Sequence, residues 1–148
     1  MKNKNIKEIW VLNGPNLNML GIREPNIYGN KCYMDYIKEI KEYAKEKKIK
    51  VKCLQSNSEG EIVDFIQYAY VKKVDGIIIN PGAYTHYSYA IRDALASVFV
   101  PKIEIHISDI SSREEFRKIS VTAPVCDKQI YGRGHSFLTI EDDFFLPT

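Results

Sequence analysis

The strongest constraint in this chain is a repeated change of apolar period. Short apolar runs alternate with stretches in which apolar residues recur every third or fourth position, the patterns of strands and amphipathic helices. Strands are predicted over residues 9–12, 49–54, 76–79 and 103–107, with a weaker fifth over 125–130. The third run, Gly-Ile-Ile-Ile, has no polar position, as a strand covered on both faces requires. Between the runs, Tyr33, Ile37, Ile40 and Ala44 keep helical spacing, as do Ile62, Phe65, Ile66 and Ala69, and then Tyr87, Ala90, Ala94 and Val98. Ser112 followed by Glu115 fits a capping box, so a short fourth helix is expected to begin there and to carry Arg113 and Arg117.

Strands and helices in strict alternation, joined by right-handed crossovers, give an α/β fold: a doubly wound parallel sheet with helices on both faces. The expected arrangement is flavodoxin-like, five strands in the order 2-1-3-4-5. A chain of 148 residues suits a single domain over 1–148, since an eight-stranded α/β barrel takes roughly 250 residues. The 21 basic and 19 acidic residues are mixed along the chain and leave a net charge of +2, so no broad field is expected to hold nucleic acid or a membrane surface. A small polar substrate suits this balance better. Residues 1–10 offer neither a signal-peptide core nor a membrane span. Cys32, Cys53 and Cys126 are far apart and form no Cys-x-x-Cys pair, which argues against a disulfide framework or a structural zinc site and points to the reducing cytoplasm.

In a sheet of this kind ligands gather at the carboxyl ends of the strands. Asn13 and Asn16 follow the first strand, Asn80 follows the third, and His106 and Ser108 finish the fourth, so polar side chains converge on one edge. Asn80 before Pro81 and Gly82 also suits a plain turn former, but the convergence favours a site. Glu104 and His106 are two apart in a strand and share a face, so the carboxylate can hold one ring nitrogen and leave the other for a ligand. The connection over residues 14–30 is longer than the usual two to six or so, and it holds Arg23, Glu24 and Tyr28. A tyrosine acts as a general base only if its pKa, about 10, is pulled down, and a nearby guanidinium does this by stabilising the phenolate. Arg23 and Tyr28 are candidates for that pair, although a chain with ten tyrosines has many that only pack, and Arg23 beside Glu24 also fits a surface ion pair.

The run Leu12-Asn13-Gly14-Pro15-Asn16-Leu17-Asn18, then Arg23-Glu24-Pro25 and Tyr28-Gly29, resembles the N-terminal signature of the type II 3-dehydroquinate dehydratases. Gln55-Ser56-Asn57-Ser58-Glu59-Gly60, Asn80-Pro81-Gly82-Ala83-Tyr84-Thr85-His86, Glu104-Ile105-His106-Ile107-Ser108 and Arg113-Glu114-Glu115-Phe116-Arg117 resemble further blocks of that family in the same order. Separated motifs in register are far more specific than one short pattern. The resemblance implies that Tyr28, a phenolate assisted by Arg23, removes a proton beside the ketone of 3-dehydroquinate and forms an enolate. Asn16 would stabilise the enolate through a bound water, and His106, oriented by Glu104, would protonate the departing hydroxyl in an anti elimination. Substrate contacts would fall on Asn80, His86 and Arg117, which would hold ring hydroxyls, and on the backbone amides of Ile107 and Ser108, which would receive the carboxylate. Asp93 would reach a neighbouring subunit's site in a dodecamer built from trimers. No nicotinamide, flavin or metal is implied, because the ketone already acidifies the neighbouring carbon.

Ser58 and Tyr87 stand where His and Thr are frequent in the family, and the segment from Asp127 to His135 and the acidic tail Glu141-Asp142-Asp143 are more charged than the family pattern. A final amphipathic helix is the family expectation, whereas residues 136–145 are short and acidic. The rival class is a flavodoxin-like binding or signalling module. No glycine-rich phosphate loop follows strand one, and strand three ends in Asn80 where a phosphoacceptor would need aspartate. A catalytically dead relative is the second rival, decided by whether Tyr28 and His106 can flank one substrate.

Overall fold

A computed structural model of the chain describes residues 6–22, 31–108 and 110–131. The all-apolar third run becomes β3 (Gly76–Asn80), buried along its whole length. It lies at the centre of a parallel sheet whose order is β2 (Lys50–Gln55), β1 (Glu8–Asn13), β3, β4 (Lys102–His106), β5 (Lys128–Tyr131). Registers such as Val11 opposite both Cys53 and Ile78, and Ile78 opposite Ile103, place the carboxyl ends of β1, β3 and β4 along one edge.

Successive side chains of a strand face opposite ways, and the sequence uses both faces. Ile9, Val11, Ile78, Ile103 and Ile105 pack with Tyr36, Ile37, Ile40 and Ala44 of α1 (Tyr33–Glu46). Trp10, Leu12, Ile77 and Ile79 pack with Ile62, Ile66 and Ala69 of α2 (Glu59–Val71) and with Ile91, Ala94 and Leu95 of α3 (Tyr89–Ser97). Each buried Ile, Val or Leu side chain here, taken fully from water, contributes about 1.5–3 kcal/mol, so the two layers hold the helices on the sheet and leave the polar residues at its edge. Ser58 caps α2 by accepting from the Glu61 amide at 3.2 Å, and Ser88 caps α3 by accepting from Ile91 at 3.0 Å.

The chain leaves β1 outward to β2 and returns to β3 on the other side, so the loops after β1 and β3 part at the switch point. They nevertheless touch, because glycines stand at the contact. A Cβ on Gly14 would lie 2.4 Å from the Pro81 carbonyl oxygen, and the Gly14 amide donates to the Asn80 carbonyl at 2.7 Å. Gly82 has φ +61 and abuts Pro15, a conformation that a side chain would strain.

Three expectations need correction. The helix expected from Ser112 is instead two short 3-10 turns, Ile110–Ser112 and Glu115–Arg117, interrupted by extended Glu114 (ψ 154). A local capping signal cannot nucleate a helix where the following residues are claimed by tertiary bonds: Ile119 and Val121 bond to His86 and Thr85. The fifth strand begins at Lys128, not Val125, because Pro124 opens a 3-10 turn over Ala123–Val125. The third helix begins at Tyr89 after the Ser88 cap, leaving Tyr87 in the preceding turn. The segments expected at residues 132–135 and 136–145 lie outside the described residues.

Candidate active site

β4 ends in Glu104, Ile105 and His106, and the alternation that sends Ile105 to one core layer turns Glu104 and His106 to the other face. Glu104 is fully buried, and its Oε2 lies 2.8 Å from His106 Nε2. A buried carboxylate is costly unless its lone pairs are filled. Here Ser120 Oγ donates to Oε2 at 2.8 Å, Gln129 Nε2 donates to Oε2 at 2.9 Å, and the Thr122 hydroxyl donates to Oε1. Thr85 Oγ1 stands 2.7 Å from Thr122 Oγ1 and 2.8 Å from Ser120 Oγ and closes the network. Burial pushes the Glu104 carboxyl upward, but the bond to His106, that residue's charge and the two hydroxyls outweigh it and hold the group below the usual carboxylate range. Glu104 is therefore a fixed negative charge behind His106, which stabilises the imidazolium and leaves Nδ1 as the nitrogen this carboxylate does not hold.

The turn after β3 (Gly82–His86) carries the second imidazole. His86 Nδ1 lies 2.7 Å from the Ile119 carbonyl oxygen, which can only accept, so Nδ1 carries the proton. Burial, with the positive charges of His106 and Arg117, lowers the His86 pKa against the Ile119 bond. The neutral ring keeps Nε2 as an acceptor.

Asn80 is 4 % exposed, and its Oδ1 accepts from the Gly82 amide at 3.1 Å, so it forms the turn and also lines the cavity. Asn16 adopts the left-handed conformation, φ 68, in the loop after β1. Its amide donates to Asn57 Oδ1 at 3.0 Å.

These groups border one cavity of about 100 Å³ lined by Asn16, Asn80, His86, His106, Ile107, Ser108, Arg113 and Arg117, with apolar Leu17 and Ile110. Among the described lining residues two carry guanidinium groups and none is a carboxylate. The site suits a small anionic ligand with several hydroxyls, set against an acid held by a buried charge. Of the sequence candidates, Asn16, Asn80, His86, His106, Ile107, Ser108 and Arg117 meet here, with Glu104 directly behind. Asp93 is exposed on α3 and does not line this cavity. Arg23 and Tyr28 lie outside the described residues.

Sequence reasoning missed the partners of Glu104. Ser120, Thr122 and Gln129, with Thr85 behind the two hydroxyls, come from three segments, and nothing local marks them. It also gave no role to Asn57 and placed Arg113 only on a short fourth helix, whereas Arg113 lines the cavity and its Nη1 donates to Ser108 Oγ at 3.3 Å. Cys126 is not a candidate nucleophile: burial, reinforced by the charge of Glu104, pushes its thiol up to about 12.

Fold and site together define an α/β protein with an acid–base centre for a small anion at the switch point of a doubly wound sheet. The family model described as dehydroquinase class II matches residues 7–140. A 3-dehydroquinate dehydratase from Caldicellulosiruptor bescii is 60% identical over 129 residues, covering 87% of this chain and 89% of the relative. The solved type II dehydroquinase from Butyrivibrio crossotus superposes with a TM-score of 0.91 at 60% identity, covering 93% of this chain and 96% of that one. That from Propionibacterium acnes gives 0.87 at 40% identity, covering 93% and 94%. The chain belongs to the class II dehydroquinase family.

Proposed function

We propose that this chain dehydrates 3-dehydroquinate to 3-dehydroshikimate in the shikimate pathway by anti elimination through an enolate, with the residues that follow in the roles given. The observation that carries the reading is the Glu104-held His106 in a cavity whose described lining offers two arginines and no carboxylate. Arg113 and the amides of Ile107 and Ser108 suit the substrate carboxylate. Asn80, neutral His86 and Arg117 suit its hydroxyls.

Tyr28, as a phenolate beside Arg23, takes the proton from the carbon next to the ketone, and the electron pair moves into the carbonyl as an enolate. Asn16 stabilises that oxygen through a bound water. The enolate then collapses, the carbon–hydroxyl bond breaks, and His106 delivers its Nδ1 proton to the leaving oxygen as water departs. Nε2 stays on Glu104, so the ring does not turn during transfer. Tyr28 gives its proton to solvent, His106 regains one, and the cycle closes without a redox step or a metal.

The chain's own copies are the expected partners. Asp93 would serve a neighbouring subunit in a dodecamer of trimers, and Tyr89 and Phe99, 65% and 95% exposed, supply apolar surface for such contacts. We place the enzyme in the cytoplasm; among the described residues no helix is long and apolar enough to cross a membrane.

The test is ultraviolet absorbance of purified protein with 3-dehydroquinate in chelator, which reads the conjugated enone product. A steady enzyme-dependent rise is expected, and Tyr28→Phe should remove nearly all of it, a loss of about 10²-fold to 10⁴-fold. A rise in Tyr28→Phe equal to the wild type would take Tyr28 out of the mechanism.

A further inference from the structure

The segment Gln55-Ser56-Asn57 runs off the carboxyl end of β2, outside the cavity lining, yet it is bonded to the loops on both sides of the site. Its platform is firm: the Ser56 amide donates to the Asn13 carbonyl at 3.0 Å, and Ser56 Oγ accepts from the Ser58 amide at 2.9 Å. On that platform Asn57 Oδ1 accepts from the Asn16 amide at 3.0 Å and from Gln55 Nε2 at 3.2 Å. Gln55 Nε2 also reaches the Gly14 carbonyl at 3.2 Å. The backbone carbonyl of Asn57 accepts from the Tyr84 hydroxyl at 2.7 Å, two residues before His86.

Asn16 needs such a partner. Asparagine tolerates φ 68 better than other non-glycine residues, yet extended and right-handed conformations remain preferred, so a bond to its amide decides which is populated. If its amide turns away, the Asn16 side chain leaves the cavity wall. We propose that Asn57 is a positioning residue for Asn16, its Oδ1 locking the Asn16 backbone in the left-handed conformation that presents the Asn16 side chain to the substrate oxygen. The proposal rests on the role given to Asn16 above. Asn57 itself touches no substrate.

Only the oxygen of the Asn57 amide is used in these bonds, which makes a sharp prediction. Asn57→Leu, similar in shape but without an acceptor, should lower kcat about tenfold with KM changed by no more than about twofold, the scale of one lost hydrogen bond. Asn57→Asp keeps the acceptor and should restore most of the rate. Asn57 is exposed, so neither variant removes core packing. The deciding measurement is a double-mutant cycle with Asn16→Ala in the enone assay. If Asn57 acts through Asn16, Asn57→Leu slows the Asn16→Ala enzyme no further. Losses that multiply, or an Asn57→Asp enzyme as slow as Asn57→Leu, would overturn the positioning role while leaving that of Asn16 intact. Wild-type turnover by Asn16→Ala alone would overturn both.

Discussion

The two sides of this site are built on opposite terms. On the β4 side, Glu104 is fully buried and takes bonds from His106, Ser120, Thr122 and Gln129. On the β1 side, Asn16 is exposed, in the left-handed conformation, and held through its amide by an equally exposed Asn57. The first side spends buried hydrogen bonds to fix a charge; the second relies on backbone geometry and close contact between loops. Electrostatic preorganisation is thus expected to fail when a donor or charge is lost, and loop placement when a shape changes.

Removing the charge should give the largest effect. Glu104→Gln keeps the shape but cannot stabilise the imidazolium, and its amide nitrogen must face donors that expect an acceptor. A fall in kcat of about 10²-fold or more is expected, the lower range of what a general acid supplies, with weaker effect on KM. An unchanged kcat would mean that His106 needs no charge behind it.

The matching change on the other side is Gly14→Ala. Its methyl would stand 2.4 Å from the Pro81 oxygen, so the two loops must part. Destabilisation of about 1–3 kcal/mol by denaturant melt is expected. The rate should fall as well, since the same contact seats Asn16 beside Asn80. Loss of stability with the full rate retained would show that the loops need not touch for turnover.

The contrast also separates what was legible in the sequence from what was not. The central place of β3 was legible from its apolar run, because burial on two faces leaves residues 76–79 no polar position. Asn16, Asn80, His106 and Ser108 were legible because strand ends share an edge whatever the loops do, whereas His86 and Arg117 came only through the family resemblance. The carboxylate's partners were not: Ser120, Thr122 and Gln129 are 16 to 25 positions from Glu104 and meet only after β5 docks on β4. The capping pattern at Ser112 misled for the converse reason, a local preference overruled by bonds from Ile119 and Val121 to the turn after β3.

Thr122→Val tests the buried network more gently. It deletes the donor to Oε1 at a fully buried position, at a cost of about 1–3 kcal/mol near neutral pH. The folded pKa of Glu104 is depressed, so its contribution to stability is present above the unfolded carboxylate pKa and is lost as pH falls through the folded one. Losing a donor raises the folded value, so acid unfolding should begin at higher pH than in the wild type. Identical acid-unfolding curves would mean that Ser120, Gln129 and His106 suffice.

The smallest expected effect concerns His86, between the two sides. Its Nδ1 proton is committed to Ile119, so Nε2 can accept from a substrate hydroxyl only while the ring is neutral. Burial, with His106 and Arg117 nearby, lowers its pKa against the Ile119 bond, so the ring protonates at lower pH than an ordinary histidine. Protonation turns Nε2 into a donor facing a hydroxyl that must reverse its own role. KM should therefore rise by up to about tenfold as pH falls through that lowered pKa, the cost of one misdirected hydrogen bond. His86→Gln has no such titration, and its KM should change less over the same interval. Parallel KM profiles for the two enzymes would assign the pH dependence to another group and leave His86 a structural tie to Ile119.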